Sequence, residues 1–245
     1  MERVKLFISI KLHLLLMILL MWNLHAGGQE KKEITVGYVN AYEKHPKIVF
    51  SVSSKDEYDQ YPNTKPLAKP KLKSSKTHHI ITAKTKQFNL KKYKDYGAEE
   101  GYNGYEFLGY FTELKMYAIT ENSTAEHLGF STMVLIDSLT ACQYAIASIG
   151  DAAVELPILS KTGKYLLYFY NWPYDDNNTF IGVLKINNRK NPQNLLVEKA
   201  SFNTKDWAVE NMKWINDETF LVKAFTVQKH NRQGYRTYQY FKASL

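Results

Sequence analysis

From Gly104 onward the chain alternates short apolar and aromatic runs with polar turns. Three pieces align. Residues 115–120 (KMYAIT) pass through a polar turn to residues 132–137 (TMVLID). Residues 164–170 (KYLLYFY) pass through Asp175-Asp176-Asn177-Asn178 to residues 179–186 (TFIGVLKI). Residues 218–225 (ETFLVKAF) pass through His230-Asn231-Arg232-Gln233-Gly234 to residues 235–241 (YRTYQYF). Runs of this length, rich in β-branched and aromatic residues and bounded by turn formers, read as strands, and each pair reads as an antiparallel hairpin. The first strands begin at 115, 164 and 218 and the second at 132, 179 and 235, so the period varies between 47 and 56 residues. Another candidate strand precedes each hairpin, at residues 105–111, 154–159 and 208–214. Tandem antiparallel units of this size point to radial or stacked β architectures.

The residues at the unit boundaries carry a resemblance. Pro157-Ile158-Leu159-Ser160-Lys161-Thr162-Gly163-Lys164-Tyr165-Leu166-Leu167-Tyr168 resembles the blade signature W-S-P-D-G-K-x-L-x-Y of TolB-type and related β-propellers. Lys213-Trp214-Ile215-Asn216-Asp217-Glu218-Thr219-Phe220-Leu221 resembles the same element one unit later, and Leu135-Ile136-Asp137-Ser138-Leu139-Thr140 is similar to the strand-and-turn motif before a blade boundary. The likeness spans residues 104–245; Lys161 and Thr162 stand where the pattern has Pro and Asp, and no turn signature precedes Lys115. It implies a fold and no activity, because propellers host enzymes, scaffolds and binding modules alike. The 217 residues after residue 28 allow four blades if candidate strands at 34–39, 48–52 and 80–90 supply the fourth. The expected fold class is therefore all-β: repeated antiparallel hairpins forming a small propeller-like fold, or open twisted β-sheets or a β-sandwich.

The first thirty residues follow a different pattern. Arg3 and Lys5 precede an apolar stretch that Lys11 interrupts and that continues from Leu12 to Trp22, broken by His13; Ala26, Gly27 and Gly28 follow. A charged start, a short apolar centre and a small-residue exit make a secretory signal, with cleavage after Gly28. A retained anchor needs about 20 apolar residues, and residues 6–22 fall short and contain Lys11. The chain thus divides into a signal peptide at 1–28 and a single all-β domain at 29–245, periplasmic or extracellular, with no later membrane span. The one cysteine, Cys142, excludes an intramolecular disulfide or a cysteine-rich zinc site. It lies in an alternating stretch at 141–146 and reads as a small buried hydrophobe.

Charge changes the picture once its location is known. The chain has 32 Lys+Arg against 24 Asp+Glu, a net +8. Residues 65–94 contain ten lysines and no acid, and without this segment and the leader 19 basic and 23 acidic residues remain. The positive charge is local. A Pro/Lys-rich part at about 61–78 reads as an extended surface loop, and residues 79–90 read as a strand with its lysines facing water, which protects an exposed edge. The segment is either solvated or a contact for an anionic surface such as lipopolysaccharide, teichoic acid or phospholipid headgroups. Nucleic acid is argued against by export and by the lack of an arginine-rich or base-stacking motif.

Candidate binding residues are Lys65, Lys69, Lys71, Lys73 and Lys76, with the loop aromatics Tyr102, Trp172 and Tyr174. Catalytic and metal-binding candidates are absent from the pattern: no G-x-S-x-G, H-E-x-x-H, Walker or dinucleotide motif occurs, and residues 174–178 lack calcium-loop spacing. No cofactor is expected. The sequence points to an exported, non-enzymatic binding protein that contacts a protein or an anionic envelope polymer through loops at one end of its sheets. The alternatives are an envelope polysaccharide hydrolase with carboxylates gathered from loops, and a structural component of a surface assembly.

Overall fold

The computed structural model describes residues 33–37, 40–93, 103–173, 177–230 and 233–245. The expected signal peptide lies outside them. Three sheets are built around consecutive meanders. In the first, β6 (Asn103–Phe111), β7 (Met116–Ala125), β8 (Leu128–Asp137) and β9 (Gln143–Ala147) run antiparallel in chain order. β1 (Glu33–Gly37) joins β9 in parallel, with Glu33 opposite Gln143. The second sheet is β10 (Ile158–Leu159), β11 (Tyr165–Asn171), β12 (Thr179–Ile186) and β13 (Leu196–Thr204). The third is β14 (Ala208–Trp214), β15 (Thr219–His230) and β16 (Gln233–Ser244), completed by β2 (Val49–Val52). β3 (Lys73–Ser74), β4 (His78–Ala83) and β5 (Lys86–Lys91) form a small fourth sheet.

The all-β class and the repeated hairpins stand, and the sheets are open. The N-terminal strands do not assemble a further blade of the same kind: β1 extends the first sheet, β2 completes the third, and residues 78–91 fold on themselves. Residues 79–90, expected as one strand, are a hairpin whose turn places Lys84 in the left-handed region at φ 52°. The first repeat hairpin is longer than its apolar run. Its turn is at Glu126 and His127, with φ of 52° and 61°.

Side-chain alternation fixes how the sheets stack. Met116, Ala118, Met133, Leu135, Tyr144 and Ile146 of the first sheet pack with Leu166, Tyr168, Tyr170, Phe180 and Leu184 of the second. The opposite face of the second sheet, through Tyr165, Leu167, Phe169, Ile181 and Val183, packs on Val209, Met212, Trp214, Phe220 and Val222 of the third. The remaining face of the first sheet, Ile119, Val134, Ile136 and Ala145, is covered by Ile81, Ala83, Phe88 and Leu90 of the small sheet. The layer order is therefore small sheet, first, second, third. A sheet covered on both faces has no polar side to alternate with, which is why β11 and β12 read as continuous apolar runs. Each fully buried large side chain contributes roughly 1.5–3 kcal/mol. Gly182 makes one close approach possible, because a Cβ there would lie 2.4 Å from Tyr168 Cζ on the neighbouring strand. Cys142 is buried at the start of this core, as its setting implies.

The third sheet has a different outer face. α1 (Lys55–Asp59) sits on it, capped by Ser54, whose hydroxyl accepts from Glu57 N at 3.1 Å. Lys242 of β16 donates to Glu57 Oε1 at 2.8 Å and holds the helix to the sheet. Among the described residues no helix is long and apolar enough to cross a membrane.

Candidate functional site

A cleft of about 560 Å³ opens where α1 and the following segment meet the outer face of the third sheet. Tyr58, Asp59, Tyr61, Pro62 and Asn63 form one wall, and Glu210, Asn211, Lys213 and Lys223 form the other. The strand period explains the second wall. Met212 and Trp214 point to the second sheet, so Lys213 between them points outward; Phe220, Val222 and Ala224 do the same for Lys223. On β16 the register puts Tyr238 and Tyr240 on this same face, opposite Phe225 and Lys223.

Cations lie over aromatic rings along this face. Lys213 Nζ is 3.9 Å from the centroid of Tyr58, Lys223 Nζ is 4.2 Å from that of Tyr238, and the Arg236 guanidinium is 4.0 Å from that of Phe225. Ring quadrupoles attract cations at such distances, more strongly where water is displaced. Lys213 also donates to the carbonyl oxygens of Tyr58 at 3.2 Å and Tyr61 at 2.8 Å. An ammonium has three donors, so one N–H of Lys213 has no partner in these two bonds.

The charges around the cleft are unevenly matched. Asp59 is taken up by Lys55 one helical turn earlier, and Glu210 by Arg236 Nη1 at 2.8 Å. Among the described residues no carboxylate pairs with Lys213 or Lys223. Burial pulls the Lys213 pKa below the ordinary lysine value; Asp59 partly restores it and Lys223 lowers it further. The Lys55 hydrogen bond holds the Asp59 carboxyl below the usual range, and the fields of Lys213 and Lys223 add to this. The Tyr58 hydroxyl, pushed up to about 12 mainly by burial, is sealed from solvent and has no hydrogen-bond partner. A buried donor without a partner costs about 1–3 kcal/mol.

This arrangement favours an anion bearing hydroxyl groups. It offers the cationic donors Lys213 and Lys223, the amides of Asn63 and Asn211, and little aliphatic surface. It does not favour glycoside hydrolysis, which needs one carboxyl kept protonated as the acid, because Asp59 is shifted the other way and Glu210 is engaged by Arg236. Among the described residues no group of three or more His, Cys, Asp or Glu is placed to hold a metal ion.

Of the residues singled out in the sequence, Tyr102 and Tyr174 lie outside the described residues. Trp172 is half-buried, packs edge-on against Tyr170 at 6.0 Å in the core between the first and second sheets, and does not line the cleft. Lys65, Lys69, Lys71, Lys73 and Lys76 are all exposed on the segment that leaves the cleft wall after Asn63, the first three on its extended part, Lys73 in β3 and Lys76 in the turn into β4. Sequence reasoning missed Tyr58, Lys213 and Lys223. The available signal was a lysine inside an apolar strand, as in Met212-Lys213-Trp214. Comparison with protein-family models, with curated proteins and with solved structures finds no match.

Proposed function

We propose that this chain is an exported, non-enzymatic binding protein that holds an acidic sugar of an envelope polymer in the cleft on the outer face of its third sheet. The observation that carries the reading is Lys213, a buried lysine on the cleft wall whose ammonium has no carboxylate partner. Burying a cation without a carboxylate partner costs stability, and a bound anion offsets that cost. Most of the cleft lining is polar or charged, and a uronic acid brings both a carboxylate and ring hydroxyls to it. On this reading recognition uses a sheet face, where the sequence pointed to loops at one end of the sheets.

The test is calorimetric titration with trigalacturonic acid. Lys213→Met is expected to weaken binding at least tenfold, since a charge-assisted hydrogen bond contributes about 1.5–3 kcal/mol. Tyr58→Phe is expected to leave binding unchanged and the free protein as stable as before or more so, because it removes a sealed, unsatisfied hydroxyl. No binding by the wild type, or wild-type affinity in Lys213→Met, overturns the reading, and preference for an acidic peptide replaces the sugar with a protein partner.

A further inference from the structure

The lysine-rich segment is fastened to the body of the protein. β6 is bulged between Phe107 and Gly109, and Leu67 lies so close there that a Cβ on Gly109 would come within 2.5 Å of Leu67 Cβ. Ala68 O accepts from Tyr110 N at 2.9 Å, and Lys69 donates to Leu108 O. Leu67 packs on the core between the first and second sheets, and Leu72 on the core beneath the small sheet. With Leu72 turned inward, Lys71 and Lys73 are exposed on the other side. The span from Lys65 to Lys76 contains no acidic residue, and among the described residues none of its five lysines makes an ion pair. Pinning like charges along one track raises their repulsion, and among the described residues no carboxylate offsets it.

We infer that this strap is a second contact for the ligand of the cleft and that the natural ligand is a polyuronic acid chain running from the cleft along Lys65, Lys69, Lys71, Lys73 and Lys76. The inference rests on the cleft reading for its sugar chemistry and on the strap's own geometry for its polymer length. Continuity supports it, because Tyr61, Pro62 and Asn63 line the cleft and Lys65 follows two residues later. The eleven steps from Lys65 to Lys76 span at most about 36–40 Å, well beyond one sugar ring. A chain long enough to engage both places gains affinity because the second contact becomes intramolecular.

Trigalacturonic acid and polygalacturonic acid are titrated into the mature protein and into a variant combining Lys65→Gln, Lys69→Gln, Lys71→Gln, Lys73→Gln and Lys76→Gln. A companion variant keeps Lys69, so that loss of its bond to Leu108 is not mistaken for loss of charge. Wild type is expected to bind the polymer at least tenfold more tightly per site than the trimer. Both variants should bind polymer and trimer alike, with trimer affinity unchanged and the salt dependence of polymer binding reduced by a slope of about 3. Equal affinity of wild type for the two sugars, or a length gain that survives in the variants, overturns the inference. So does strap-dependent binding of phosphatidylglycerol vesicles with no binding of polygalacturonate. If the trimer fails to bind while the polymer binds through the strap lysines, the cleft reading falls and the strap's role stands.

Discussion

Lys213 shows how one residue can be read by its costs. It is buried between Met212 and Trp214, and its ammonium is met by two carbonyls and a ring instead of a carboxylate. The titratable groups facing it are Asp59 and Tyr58 from α1 and Lys223 from β15. Burial dominates, so the folded-state pKa lies below the ordinary 10.5. In the window between that lowered value and 10.5 the unfolded chain binds more protons than the folded one, and stability rises with pH there. Anion binding moves in the opposite direction, because it needs the charged form. Affinity for trigalacturonic acid is therefore expected to fall as pH rises, beginning below 10.5. A Lys213→Arg protein, whose guanidinium stays protonated, should hold its affinity across the same range. Titrations over pH on the two proteins check this, and parallel loss in both would remove Lys213 as the titrating group.

Between elements, the junction of β8 with the segment after β12 is fixed by charge. Asp137 ends β8 and is fully buried; it accepts from Arg189 Nε at 2.9 Å and from Leu139 N at 2.8 Å. Arg189 also donates to Leu114 O, tying the first sheet to the second. Arg189→Met leaves the carboxylate buried with too few donors, a loss of about 3 kcal/mol. In a domain of this size that is a drop in Tm of roughly 6–12 °C, and adding Asp137→Asn should recover part of it. Thermal melts decide the point, and a single variant that melts with the wild type would contradict it. The same scale shows what the sequence encodes locally. β14 occupies the expected 208–214 even though a bulge between Val209 and Asn211 shifts its alternation. β10 is shorter than its expected 154–159 because Pro157 has no N–H for the ladder, although Glu155 N still reaches Phe169 O at 2.9 Å. β13 escapes the pattern because Glu198 and Lys199 interrupt its apolar positions and a bulge at Val183 and Leu184 shifts its register. The turn at Lys84 has neither glycine nor asparagine to announce it. Lys213 itself was legible as an outlier in its strand, but its partners Tyr58 and Tyr61 are 155 and 152 residues away, and no local pattern connects them.

For the whole molecule, the layer order sets how it comes apart. The second sheet is buried on both faces, so neither neighbour can leave without exposing part of its apolar surface. The first and third sheets also each borrow a strand from the N-terminal region, β1 and β2, which couples distant parts of the chain. That coupling argues against sheet-by-sheet unfolding and for a single transition over Glu33–Leu245, which form one compact unit. The tryptophans allow a direct check. Trp207 and Trp214 lie in the core between the second and third sheets and Trp172 packs on the core between the first and second. Trp172, Trp207 and Trp214 are the only tryptophans after residue 28, so fluorescence of a protein comprising residues 29–245 reports these two cores, while far-UV circular dichroism reports every sheet. The two signals are expected to change together in urea, with one midpoint. A fluorescence midpoint clearly below the dichroism midpoint would mean that a core between sheets opens before the strands melt, and the single transition would be ruled out.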